Sequence, residues 1–132
     1  AVSPLRRTLQ TATLAFASPR GPPERDVVFV ANSDLQETST NPSDCGTHQS
    51  VIGPNFPHVD FSELDGAWVD KEAPLHHGTH ERLARLTRWC AAQDVEELVA
   101  VTHHNVCSRL LGGVSLDNCD VLGVRLDRRS LK

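Results

Sequence analysis

The stretch LVAVTHHNV (98–106) sets two adjacent histidines, His103 and His104, at the end of an apolar run. A buried strand gains nothing from imidazoles at its tip, because each ring must find a partner or stay in water. In open α/β sheets, ligands collect beyond the carboxyl ends of the strands, where the following helices begin. That rule places three features on one rim. His103 and His104 follow a strand expected over 96–102 and precede a helix start, with its free N–H groups and positive dipole end. Glu37, in SDLQE, lies just past a strand expected over 26–32. Arg6 and Arg7 occupy the first turn of a helix that follows the extended pair Ala1–Val2.

Cations, a helix N-terminus and one acid suit a phosphoryl group. The cations hold its charged equatorial oxygens, and the acid protonates a poor alkoxide leaving group. The ligand expected here is a small phosphorylated substrate or inorganic phosphate. Other chemistries have weaker support. A metal site could be assembled from His76, His77, His80, His103 and His104, with His76 and His80 sharing a face if their helix began early. No carboxylate or cysteine falls at supporting spacing, so neither a metal nor any other cofactor is expected. A serine or cysteine nucleophile lacks a GxSxG elbow, and the four cysteines form no CxxC pair.

The elements that must carry these side chains follow from periodicity. SPLRRTLQTATLAF (3–16) offers Ser3 as N-cap, Pro4 at the first helical position, and Leu5, Leu9, Ala12 and Phe16 on one stripe. DVVFVAN (26–32) and EELVAVT (96–102) read as buried strands, and CDVLGVRL (119–126) as a last one. THERLARLTRWCAAQ (79–93) is a helix capped by Thr79, with Leu83, Leu86 and Cys90 inward and Glu81, Arg82, Arg85 and Arg88 largely outward. NVCSRLLGG (105–113) is a short helix ended by glycines, and Cys90 and Cys107 read as small core fillers on helix faces. Residues from Ser33 to about Leu75, rich in Ser, Thr, Asn, Asp, Gly and Pro, read as a long surface excursion, with its main body at 38–75. Specificity would come from that stretch, where Asp44, His48, His58, Asp60 and Trp68 are candidates that nothing ranks. This alternation is the grammar of a single α/β domain over residues 1–132, a mostly parallel sheet flanked by helices.

Charge narrows the partners. The 132 residues carry a formal net charge of −4, and the basic residues are scattered, which argues against nucleic acid or an anionic membrane as partner. No apolar run approaches the roughly 18 residues of a membrane span. With no signal peptide in the text and no disulfide framework, the expected location is cytoplasmic.

At these same positions the chain resembles the histidine phosphatase (phosphoglycerate mutase-like) superfamily. SPLRRTLQTA is similar to the family helix that begins Ser-x-x-x-Arg and supplies a phosphate-binding arginine, which maps to Arg7. SDLQE is similar to the strand-following Leu-x-Glu whose glutamate serves as proton donor, which maps to Glu37. LVAVTHH is similar to the segment ending in the second pocket histidine, which maps to His103, and VVFV and NPSDCG resemble a branch of small, broad phosphatases. The resemblance implies a three-layer α/β sandwich. It also implies metal-independent phosphomonoester hydrolysis or mutase transfer through a phosphohistidine, with Arg7 and His103 on the phosphoryl oxygens and Glu37 as acid.

Two departures stand out. No Arg-His-Gly occurs in the 132 residues, so the family's nucleophilic histidine and one phosphate arginine, normally on a first strand inside the sheet, are missing. His104 stands where a glycine is common, where it would narrow the site or add a phosphate-binding donor. The chain also contains no methionine, including at position 1. The expectation is a truncated gene product whose full-length form is the enzyme, with these 132 residues inactive or nearly so. The rival expectation is a non-catalytic phosphate-binding or protein-interaction module. A missing first strand would leave a sheet edge uncovered, which would encourage a homodimer.

Overall fold

The computed structural model describes residues 1–16, 27–73 and 78–127. The helix expected from Ser3 begins later, as α1 (Arg6–Phe16). The cause is local: the Ser3 N–H donates to the Val101 carbonyl at 2.9 Å, so Ser3 still belongs to extended chain. Leu5, Leu9 and Ala12 are buried as the stripe requires, whereas Phe16 is 38% exposed where the helix runs past its support.

The sheet is parallel and small. β1 (Phe29–Val30) pairs with β2 (Val59–Asp60), Phe29 opposite Val59 and Val30 opposite Asp60. Val2 bridges Ala31 on one side and Val101 on the other, both parallel. Hydrogen bonds from Val2 N to Val30 O and from Val101 N to Ala1 O, at 2.9 and 3.0 Å, carry the pairing across. Four extended segments therefore lie side by side in the order 59–60, 29–31, 1–3, 101. The strands expected over 26–32 and 96–102 are shorter in fact. Asp26 lies outside the described residues, Val28 is 73% exposed, and the second segment pairs only around Val101.

Side chains alternate across an extended segment, and residues 1 and 2 feed two different cores. Val2 packs with Leu5, Leu9, Ala12, Ala31, Ile52, Phe56, Val59, Leu64 and Trp68. Ala1 packs against Leu35, Leu83, Leu86 and Val106. Helix α1 and the 38–73 stretch serve the first core, while α3 (Thr79–Ala92) and α4 (His104–Leu110) serve the second. The architecture is mixed helix and parallel sheet.

Several expectations need correction. The excursion does not merely cross the surface: Ile52, at the end of α2 (Gln49–Ile52), and Phe56, Leu64 and Trp68 are buried. The Trp68 indole N–H donates to Gln49 Oε1 at 2.7 Å. Gly78, at φ 68°, caps α3 in place of Thr79, which lies inside the helix. Arg82 is 2% exposed rather than outward, and its Nη2 donates to the Gln36 carbonyl at 2.8 Å. Residues 119–127 contain no strand, and Val121 is 93% exposed. An apolar run pairs only where a neighbouring strand offers its ladder, and none stands beside this one among the described residues. The end of α4 follows expectation, with Gly112 and Gly113 at φ 69° and 95°. No helix among the described residues is long and apolar enough to cross a membrane.

Candidate functional site

Four segments deliver the site. Ser3 closes the extended pair Ala1–Val2, and Arg7 sits in the first turn of α1. Asp44 ends a 3-10 turn, Pro42–Asp44, that Pro42 pre-sets. His103 is the cap residue of α4, in extended backbone at φ −126°. The parallel pairing of residues 1–3 with 101 brings the ends of both segments to one place, although Arg7 and His103 are 96 positions apart.

The Arg7 guanidinium is the hub. Its Nη1 donates to Ser43 O at 2.6 Å, and its Nη2 to Asp44 Oδ1 at 2.7 Å. Nη2 also lies 2.9 Å from His103 Nδ1. Arginine has no acceptor, so His103 Nδ1 must be the unprotonated nitrogen. The ring proton then sits on Nε2, which donates to Ser3 Oγ at 2.8 Å. Burial, and next the Arg7 charge, lower the His103 pKa from 6.5 to about 4, so the ring is neutral at pH 7. Burial opposes ionisation of Asp44, but hydrogen bonds from Ser39 and Arg7 outweigh it and hold its carboxyl below the usual range. Arg7 also opens onto a cleft of about 240 Å³ lined by Leu5, Arg6, Gln10, Ser43, Cys45 and Thr47.

Glu37 follows the 3-10 turn Ser33–Leu35 and is 8% exposed. Its charge acts on His103, but its Oε1 accepts from Thr38 N at 2.7 Å rather than from the imidazole or Arg7. His104 does not join the group. It is exposed, and its Nδ1 lies 3.1 Å from Leu116 O, which fixes Nδ1 as the protonated nitrogen and turns the ring away from Arg7. Adjacent positions at a helix start point in different directions, and here the two rings have separate partners, His103 with Arg7 and Ser3 and His104 with Leu116. His76 and His77 lie outside the described residues, and among those described no cluster of three or more His, Cys, Asp or Glu could hold a metal.

The excursion candidates separate by contact. Asp44 belongs to the site. His48 caps α2, His58 packs edge-on against Phe29 and Phe56, and Asp60 accepts from Ser62 N. Trp68 is core. Sequence reading missed Ser3 as the partner of His103, and it missed Lys71, whose Nζ donates to Glu37 O at 3.0 Å. Neither carries a spacing signal. Ser3 looks like a cap, and Lys71 lies 34 positions from the residue it touches.

The arrangement offers a partly exposed guanidinium already engaged with an internal anion. One arginine, 45% exposed at its side chain, already clasps a carboxylate beside a neutral imidazole. Searches with the whole chain find no matching family model, no matching curated protein and no matching solved structure.

Proposed function

We propose that the Arg7–His103 site binds the phosphoryl group of a small phosphomonoester, and that it is the site of a histidine phosphatase-type hydrolase. The observation that carries this reading is the 2.9 Å approach of Arg7 Nη2 to His103 Nδ1 while the same nitrogen holds the Asp44 carboxylate at 2.7 Å. A guanidinium aimed jointly at an acid and an imidazole is the donor half of an oxyanion cradle. The Asp44 carboxylate, an internal anion already held by Arg7, supports this reading. Two cores reached from alternate residues of the central segment support a three-layer, phosphoglycerate mutase-like arrangement.

In this reading a histidine from an Arg-His-Gly segment attacks phosphorus and expels the alkoxide. Arg7 holds the equatorial oxygens, joined by His103 once the anion's charge draws a proton onto its Nδ1, and Glu37 protonates the leaving oxygen. Water then cleaves the phosphohistidine and releases phosphate. Residues 1–132 contain no Arg-His-Gly, so they bind without turnover and hydrolysis requires that segment.

A second reading, a non-catalytic phosphate-binding module, is favoured by the closure of the network, since both imidazole nitrogens are satisfied within the chain. Calorimetric titration of the chain with inorganic phosphate tests the binding common to both. Arg7→Ala should weaken it by about 1.5–3 kcal/mol, the worth of a charge-assisted contact. Equal affinity in the variant removes Arg7 from the site. Joining an Arg-His-Gly segment ahead of Ala1 separates the two readings. Metal-independent hydrolysis of an aryl phosphate supports the enzyme, and binding without hydrolysis supports the module.

A further inference from the structure

Arg7 lines a second cleft besides the one it shares with Arg6. This cleft has a volume of about 630 Å³, and Arg7, Gln10, Thr11, Thr13, Leu14 and Phe56 line it. Arg7 and Gln10 line both clefts, so the second adjoins the first along α1. Positions 10, 11 and 14 follow Arg7 by three, four and seven residues, which stacks all of them on one face of the helix. Leu14 lies two turns beyond Arg7, about 10 Å along the axis.

The chemistry of the wall changes along that face. At one end stands the Arg7 guanidinium with its carboxylate and imidazole partners. Among the described residues no other charged side chain lines the cleft, and its two hydroxyls are already engaged. Thr11 Oγ1 donates to Arg7 O at 3.0 Å, and Thr13 Oγ1 donates to Leu9 O at 2.7 Å. Thr13 has then spent its proton, so His58 Nε2, 3.0 Å away, donates to it. Neither threonine keeps a proton for a ligand. Leu14, at the far end, is 85% exposed. A lone exposed leucine is ordinary, but this one shares a cleft with the arginine of the anion site and with the ring of Phe56.

We infer that this cleft receives the organic part of the phosphomonoester, and that the site prefers esters of uncharged apolar alcohols, aryl or short alkyl phosphates, over those of polyols. This rests on the phosphate-binding reading above. With its phosphoryl group at Arg7, such an ester lays its ring or chain along Gln10 and Thr11 toward Leu14 and Phe56, removing apolar surface from water on both sides. A polyol gives up its own hydration for a wall that returns few hydrogen bonds, so it gains little. Leu14 is then a specificity-determining residue that leaves the phosphoryl contacts to Arg7.

The test is calorimetric titration at pH 8, where phosphomonoesters are dianions, of inorganic phosphate, glycerol phosphate and phenyl phosphate into the wild-type chain, Leu14→Gln and Arg7→Ala. The quantity read in each protein is the affinity for an ester relative to that for inorganic phosphate, which cancels any change common to both. Glutamine is a good helix former at an exposed position, and melting curves check that the variant is folded. The inference expects phenyl phosphate to bind the wild type about tenfold tighter than inorganic phosphate, the order of partly burying an aromatic ring, and glycerol phosphate to show no such gain. It expects Leu14→Gln to cut the phenyl advantage about threefold or more. Phosphate binding that needs Arg7, with no phenyl advantage, an equal advantage for glycerol phosphate, or an advantage unchanged in Leu14→Gln, overturns this inference and leaves the phosphate reading intact. No binding of inorganic phosphate by the wild type, or equal binding by Arg7→Ala, overturns the two together.

Discussion

Acidification should destabilise this protein through one ring. His103 is 7% exposed, and its pKa falls from 6.5 to about 4 on folding. Above pH 6.5 the ring is neutral in both states and contributes no pH dependence. Below it the unfolded chain takes up a proton that the folded chain refuses, so stability falls as the pH drops from 6.5 and levels off near 4. Linkage between those two values gives a loss of about 2 kcal/mol between pH 7 and pH 4.5 from His103 alone. Asp44, whose pKa is lowered from 3.8, stays ionised in both states over most of that window and adds its own loss only at lower pH. The perturbation is His103→Gln, whose carboxamide can accept from Arg7 and donate to Ser3 without titrating. Urea unfolding of both proteins at pH 7 and pH 4.5 reads the difference. The variant should lose about 2 kcal/mol less than the wild type over that interval. Equal losses would mean that His103 titrates normally, and with it would go the neutral imidazole and the direction of its bond with Arg7.

Two further substitutions probe the site and its support. Asp44→Asn should lower stability by about 1 kcal/mol, the scale of a partly exposed ion pair. The same change should raise phosphate affinity, because the internal carboxylate no longer competes for Arg7. A fall in affinity, read by calorimetry, would make Asp44 a support of Arg7 instead of a rival for it. A Cβ at Gly46 would overlap the Trp68 ring, and Trp68 is fully buried, so Gly46→Ala should destabilise by about 1–3 kcal/mol through overpacking. An unchanged melting curve would show that the excursion is not packed as described.

What could be read from residue order follows a physical line. Helices α1 and α3 announce themselves because Leu5, Leu9 and Ala12, or Leu83 and Leu86, repeat at the helical period. Arg7 and His103 could be placed together because strand ends in a parallel sheet share an edge whatever their separation in the chain. The excursion hid its contribution, since Ile52, Phe56, Leu64 and Trp68 stand four or eight positions apart but among Gly53, Pro54, Pro57 and Gly66, which break any continuous helix that spacing would suggest. Arg82 looked outward because its helix face is charged, yet it goes inward to satisfy the Gln36 carbonyl. Asp44 reaches Arg7 through loop geometry, which no spacing encodes. The run 119–126 reads as a strand from its β-branched residues, but a strand also needs a neighbour to pair with, and that is not a local property.

The central claim is that Arg7 and His103 form one pocket for a tetrahedral anion. Its most direct test is the NMR titration of the His103 imidazole with and without saturating inorganic phosphate. An anion beside the ring favours its charged form, so phosphate, a monoanion in this pH range, should move the His103 pKa upward from about 4, and the shift should vanish in Arg7→Ala. A His103 titration that is the same at every phosphate concentration would contradict the account.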